Sequence, residues 1–260
     1  MFKTRLISGI VLVALALLLI ITGGNVLLGA LCVISLIGMF ELYRIFKIEK
    51  EPAGVAGYIA AIVYYLNLLF GFIPDMMMFV LGVLVVLMFI YVFSYPKYKT
   101  EQMLAAFFAV FYVAVMLSFV YRTRMLPMGT YTVWLIFLCS WGCDTCAYCT
   151  GILIGKHKMA PVLSPKKSVE GAVGGVAGAA LLGALYAAAT GGKVAEYALI
   201  CAVGALISMV GDLAASAIKR NQGIKDYGKL IPGHGGILDR FDSVIITAPV
   251  IYYLATLILG

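Results

Sequence analysis

The sequence predicts an all-α, polytopic integral membrane helical bundle with about nine transmembrane helices and a cytoplasmic N-terminus. Two observations carry the class. Of 260 residues, 63% are hydrophobic and only 12% are charged, whereas soluble chains are about half apolar and a quarter charged. The apolar residues also run on uninterrupted for about 20 positions, the length that crosses a hydrocarbon core of about 30 Å. A β-barrel would alternate over about 10 residues. The few charges therefore carry most of the information, because each must lie in a loop, reach an interface or stand in the membrane for a reason.

Taken in order, the runs place spans at 6–22, 25–46, 53–73, 75–95, 102–121, 129–154, 169–191, 195–218 and 241–259. The first, after Lys3 and Arg5, is longer than a signal-peptide apolar core of about 7–15 residues and closes on no small-residue cleavage site, so it reads as a retained span. Span two carries Glu41 three residues before Arg44, which reads as a local ion pair near the interface. Spans three to five read as apolar scaffold with aromatic residues toward the interfaces. Residues 1–125 thus form a scaffold region and 126–260 a catalytic one. Alternating from an inside N-terminus leaves only Arg122, Arg124 and Lys193 of nineteen Lys and Arg residues outside. That asymmetry sets the orientation, in the inner (cytoplasmic) membrane of the cell. The net charge of +7 then faces the cytoplasm in short loops, which suits a polyanion or anionic headgroups and not nucleic acid.

Span six contains Asp144 and four of the six cysteines, Cys139, Cys143, Cys146 and Cys149. Positions three and six apart on a helix do not converge on one metal, so the cysteines read as packing. Asp144, Ala147, Tyr148, Gly151 and Gly155 form one stripe. The following loop holds Lys156, Lys158, Ser164, Lys166, Lys167 and Ser168, with Ser168 the N-cap of span seven, and offers cations, hydroxyls and a helix N-terminus to an anion. Span seven has small residues four apart, a close-packing surface for another helix of this chain or of a second copy in a homodimer. Span eight carries Asp212, Ser216, Lys219 and Arg220 along one stripe. The loop from Lys225 and Asp226 through Gly233, His234, Gly235 and Gly236 ends ahead of Asp239, Arg240 and Asp242 at span nine. Its glycines permit N–H groups to converge on phosphate oxygens. A carboxylate at mid-membrane costs roughly 2.5–3.5 kcal/mol even on lenient scales. The acids Asp144, Asp212, Asp239 and Asp242 therefore point to a shared cation, with hard oxygen ligands suited to Mg²⁺.

The run Ser216-Ala217-Ile218-Lys219-Arg220, then Lys225-Asp226, then Leu230-Ile231-Pro232-Gly233-His234-Gly235-Gly236-Ile237-Leu238-Asp239-Arg240-Phe241-Asp242 closely resembles the signature of the phosphatidate cytidylyltransferases of bacterial type. Asp144-x-x-Ala147-Tyr148-x-x-Gly151-x-x-x-Gly155, Leu163-Ser164-Pro165-Lys166-Lys167-Ser168-x-Glu170-Gly171 and Gly211-Asp212 are similar to that family too, with Ser168 standing where Thr is expected. The resemblance is specific over about 140–243 and general elsewhere. It implies transfer of CMP from CTP to phosphatidic acid with Mg²⁺ and release of pyrophosphate, by in-line attack of a phosphatidate oxygen on the α-phosphorus. Asp212 and Asp239 are the leading metal ligands, with Asp242 and Asp144 as further ligands to the same or a second cation. Lys219, Arg220, Lys225, Arg240, Lys166 and Lys167 are candidates to hold phosphates, beside Ser164, Ser168, Ser216, Asp226, Tyr148 and the loop glycines. His234 either serves the leaving group or orders the loop. A CTP-dependent polyprenol kinase, or another lipid cytidylyltransferase, is the rival reading. An ion-coupled transporter would explain the intramembrane acids and leave the lysine-rich loop unexplained.

Overall fold

A computed structural model describes residues 2–233 and 235–259, with side chains from residue 8 onward. The described residues form helices α1 (Phe2–Thr22), α2 (Gly24–Ile45), α3 (Pro52–Phe70), α4 (Met76–Phe93), α5 (Thr100–Arg124), α6 (Gly129–Ile154), α7 (Val169–Thr190), α8 (Val194–Asn221) and α9 (Leu238–Ile258). The eight from α2 onward are long and apolar enough to cross a membrane. In α1 the apolar stretch is Ser8–Thr22. A short hairpin, β1 (Lys158–Ala160) paired antiparallel with β2 (Ser164–Ser168), occupies the loop that the sequence offered as irregular. Helix α8 runs to Asn221 and α9 begins at Leu238, so Lys219, Arg220 and Asp239 are helical.

The chain divides into two compact units. Unit one holds residues up to Tyr121 together with Asp226–Arg240; unit two holds Arg122–Lys225 and the chain from Phe241. The signature loop therefore packs with the N-terminal helices.

In unit one, α2 is the central element and buries Leu27, Leu28, Leu31, Met39, Leu42 and Tyr43. Helix α3 opens with Pro52 at its first turn, where the missing N–H costs nothing, and closes on Gly71 in the left-handed conformation (φ 66°). Gly54 and Gly57 let α3 approach α2 closely: a Cβ on Gly57 would overlap the Tyr43 hydroxyl. The buried tyrosines find partners, as they must where no water competes. Tyr43 donates to the Ala106 carbonyl at 2.8 Å, Tyr64 pairs with Ser118 at 2.8 Å and Tyr65 with Ser35 at 2.8 Å. Tyr65 also donates to the carbonyl of Ala114, within a π-helical stretch of α5 at Val110–Val115. Helix α4 buries only Phe79, Val83 and Leu87, a stripe four residues apart, and turns its remaining apolar surface outward as lipid-facing helices do.

In unit two, α6, α7 and α8 pack through small residues. Gly174 lies against Thr150, Gly178 against Cys146, and Gly175 against Cys143 and Ala147. Farther along α7, Gly183 meets Cys201 and the Tyr197 carbonyl of α8. Buried Gly171, Gly175, Ala179, Gly183 and Ala187 thus occupy the small-residue face of α7 within the unit. The six cysteines are free thiols, three of them fully buried. Cys139 and Cys143 turn toward the carbonyls of Ile200 and Ala205 on α8. They fill space between close helices, as free cysteines commonly do.

Candidate active site

Unit two holds most of the charged residues that the sequence proposes for the site, Asp226, Asp239 and Arg240 excepted. Asp144 on α6 and Asp212 and Lys219 on α8 each lie within electrostatic reach of Asp242 on α9. Gly211 makes this approach possible: a Cβ there would stand 3.1 Å from the Asp242 carbonyl oxygen and 3.4 Å from Ser243 Cα. Asp144, Asp212 and Asp242 are half-buried and Lys219 is buried. Lys167, on β2, forms an ion pair with Asp212, each side chain 25% exposed. An acid at such depth requires a compensating charge, and the hairpin delivers one.

The hairpin is held in place by its hydroxyl and by a glutamate. Ser168 caps α7 by accepting from the Gly171 amide at 3.1 Å. Its Oγ rests against Gly151 and Gly155, whose hydrogens leave room that a methyl group would fill at 3.2 and 2.6 Å. Glu170 accepts from the main-chain amides of Lys156 and His157 and meets His157 Nδ1 at 2.5 Å. Ser164 is half-buried on β2, while Lys166 is exposed beside it. Ser216 is half-buried on α8. Arg220 is exposed and donates to the Ile224 carbonyl at 3.0 Å, closing the end of α8. Lys225 is exposed, and Tyr148 is 69% exposed on the outer side of the α6 stripe.

In unit one the signature loop is built around two buried carboxylates. Asp239, 7% exposed, accepts through Oδ2 from the amides of Tyr227 (2.8 Å) and Gly236 (2.9 Å). Glu41, 4% exposed, accepts from Ile237 N through Oε1 (3.0 Å) and from Leu238 N through Oε2 (2.9 Å). Arg44 donates to the Tyr227 carbonyl at 2.8 Å. Glu41 and Arg44 thus both reach the loop, where the sequence suggested that they pair with each other. The i,i+3 spacing permits such a pair, but a helix start with unpaired amides is the better partner for a buried carboxylate.

The glycines follow from this geometry. Gly233 (φ 79°) and Gly235 (φ 87°) take left-handed conformations that turn the chain back, and the Ile231 amide donates to the Gly235 carbonyl at 2.9 Å. A Cβ on Gly228 or Gly236 would run into the Glu41 carboxylate. The Gly236 amide, offered by the sequence to a phosphate, is engaged by Asp239. Asp226 is exposed and Arg240 half-buried; His234 lies outside the described residues.

Among the described residues, no three His, Cys, Asp or Glu side chains gather into a group that would hold a metal on their own. Mg²⁺ asks for less: it is usually held through one or two carboxylates plus substrate phosphates and water. Asp212 and Asp242, hard oxygen donors on closely approaching helices, fit that requirement. Sequence reasoning gave Glu41 and Arg44 only a local pairing, and it did not anticipate the contact of Glu170 with His157. A lone acid in an otherwise apolar span was the available signal for Glu41.

Apolar spans that keep carboxylates and ammonium groups partly buried define a multi-pass integral membrane protein with a polar, charge-bearing site. The family model described as the cytidylyltransferase family matches residues 3–258. The chain belongs to that family. It is 34% identical over 260 residues to a phosphatidate cytidylyltransferase of Staphylococcus aureus, covering 97% of this chain and 98% of the relative. It is 30% identical over 293 residues to a phosphatidate cytidylyltransferase of Synechocystis, covering 98% and 97%. A phosphatidate cytidylyltransferase of Staphylococcus haemolyticus is 32% identical over 262 residues, covering 97% and 98%.

Proposed function

We propose that the protein transfers CMP from CTP to phosphatidic acid, forming CDP-diacylglycerol and releasing pyrophosphate, at the cytoplasmic face of the cell inner membrane. The observation that carries the reading is the cluster of Asp144, Asp212, Asp242, Lys167 and Lys219 in a cytidylyltransferase-family chain. Its mixed charge suits the joining of two anions, because neither can approach the other unless charge is neutralised and both are held in line.

An oxygen of the phosphatidate phosphate forms a bond to the α-phosphorus of CTP as the bond to the bridging oxygen of pyrophosphate breaks. That nucleophile is already ionised, so no side chain need remove a proton. Lys167, Lys219 and the more exposed Lys166, Arg220 and Lys225 bind the triphosphate and the lipid phosphate. Asp212 and Asp242, with Asp144, are the residues of unit two that would hold Mg²⁺, whose chemistry is to neutralise charge on phosphate oxygens; Asp239, in unit one, is a separate candidate ligand. The cytoplasmic orientation rests on the asymmetry of Lys and Arg between loops. Because the small residues of α7 are occupied by α6 and α8, a homodimer would need another face.

The purified protein supplied with Mg²⁺, CTP and phosphatidic acid should form CDP-diacylglycerol and pyrophosphate in equal amounts, and EDTA should abolish both. CTP-dependent phosphorylation of a polyprenol, with no CDP-lipid from phosphatidic acid, would overturn the reading. Normal turnover by Asp212→Asn would overturn the metal assignment.

A further inference from the structure

We infer that Glu41, on a span otherwise devoted to packing, is a positioning residue for cytidylyl transfer: it anchors the start of α9 and thereby fixes Asp239. The inference rests on the proposed function for its kinetic consequence, but the anchor itself is visible in the hydrogen bonds.

Helix α9 begins without a cap of its own. The residues before Leu238 are Gly236 and Ile237, and neither side chain has an acceptor, so the first amides of the helix are without a local partner. Glu41 supplies both acceptors from another helix, one oxygen to Ile237 N at 3.0 Å and the other to Leu238 N at 2.9 Å. A carboxylate there also meets the positive end of the helix dipole. The fit is specific, since Gly228 and Gly236 lie so close to the Glu41 carboxylate that a Cβ on either would strike it. One turn further along α2, Arg44 holds the carbonyl of Tyr227, whose amide donates to Asp239 Oδ2. The segment is therefore gripped at two points by α2, and Asp239 is tied to both ends of it.

Gln at position 41 keeps one acceptor but turns an NH₂ group toward the second amide, so one helical N–H loses its partner. The start of α9 is then free to shift, and small misplacements near reacting groups cost on the order of 10- to 100-fold in turnover. Glu41→Gln should show such a fall in kcat with KM for CTP changed less than about threefold, because Glu41 itself binds no substrate. Gly236→Ala, which pushes a methyl group into the same carboxylate, should give the same pattern. Combined with Glu41→Gln it should cost less than the product of the two single effects.

The test pairs these kinetics with hydrogen exchange on the full-length protein in detergent. Glu41→Gln should raise exchange in peptides covering 236–241 while α3 and α7 keep their protection. A wild-type kcat, or unchanged exchange over 236–241, would overturn the inference. A uniform rise in exchange across all helices would do so as well, since that marks general destabilisation. If wild type makes no CDP-lipid, the proposed function fails, and a localised exchange change would still establish the anchor.

Discussion

Lys167→Met offers a direct measure of how the charged cluster is held together. The substitution keeps the length of the side chain and removes the ammonium group, leaving Asp212 without its partner. Removing one member of a fully buried pair costs about 3–5 kcal/mol. Here each side chain is 25% exposed, so water recovers part of that, and about 2–3 kcal/mol is expected for the quarter-exposed pair. Asp212→Asn removes the charge from the other side and leaves the ammonium facing a neutral amide, so a comparable cost is expected. With both changes the unmatched charge is gone, and the double variant should recover about 1–2 kcal/mol relative to the sum of the singles. Equilibrium unfolding in mixed micelles reads the four free energies, with no substrate or metal added. Additivity within about 0.5 kcal/mol would refute the pairing as an energetic element. Activity would be lost in all the variants and so would not distinguish the cases.

Gly57→Ala should destabilise by about 2–4 kcal/mol, combining overpacking with loss of the buried Tyr43 hydrogen bond. Tyr43→Phe in the same chain removes the hydroxyl that the methyl group would strike, so the double variant should be more stable than Gly57→Ala alone; a further loss would count against the contact. At the turn between α2 and α3, hydrogen bonding and ion pairing with Lys97 hold the Glu51 carboxyl below its usual value. The stability it contributes is therefore present above the ordinary Glu pKa of about 4.3 and lost as pH falls through the lower folded value. Thermal unfolding of Glu51→Gln beside wild type at falling pH should show curves that converge in acid, and convergence at neutral pH instead would refute the assignment. Raised salt should narrow the neutral difference.

The spans were legible because hydropathy over 20 residues is a local property of the chain, and the close packing of α7 followed from its small residues for the same reason. The hairpin was not: Ser-Pro-Lys-Lys reads as a loop, and only the antiparallel register of Lys158 with Ser168 makes it a strand. The candidate cluster of unit two was named residue by residue, since an acid in a span is conspicuous wherever it points. Glu41 was equally conspicuous, yet the nearest cation in sequence, Arg44, offered a sufficient local explanation. Its hydrogen-bond partners are amides nearly two hundred residues away, with Arg44 acting on it only through charge, and an amide carries no mark in a sequence.

That difference bears on how the acids are kept charged. In unit two the compensation for Asp212 is an ammonium group, which neutralises it and which a substrate phosphate or a cation can compete for. In unit one Glu41 and Asp239 accept main-chain amides, which solvate a carboxylate without cancelling its charge, and the Arg44 charge adds to this for Glu41. A loop that must be fixed in register needs the second kind, because dipoles held by the backbone do not leave when an anion arrives. The glycines at 228 and 236 are then required less for flexibility than for their lack of a side chain, which lets the backbone close on Glu41. Replacing either with alanine should therefore impair the loop even though both conformations are open to alanine; among the described residues of the turn, the positive φ angles belong to Gly233 and Gly235.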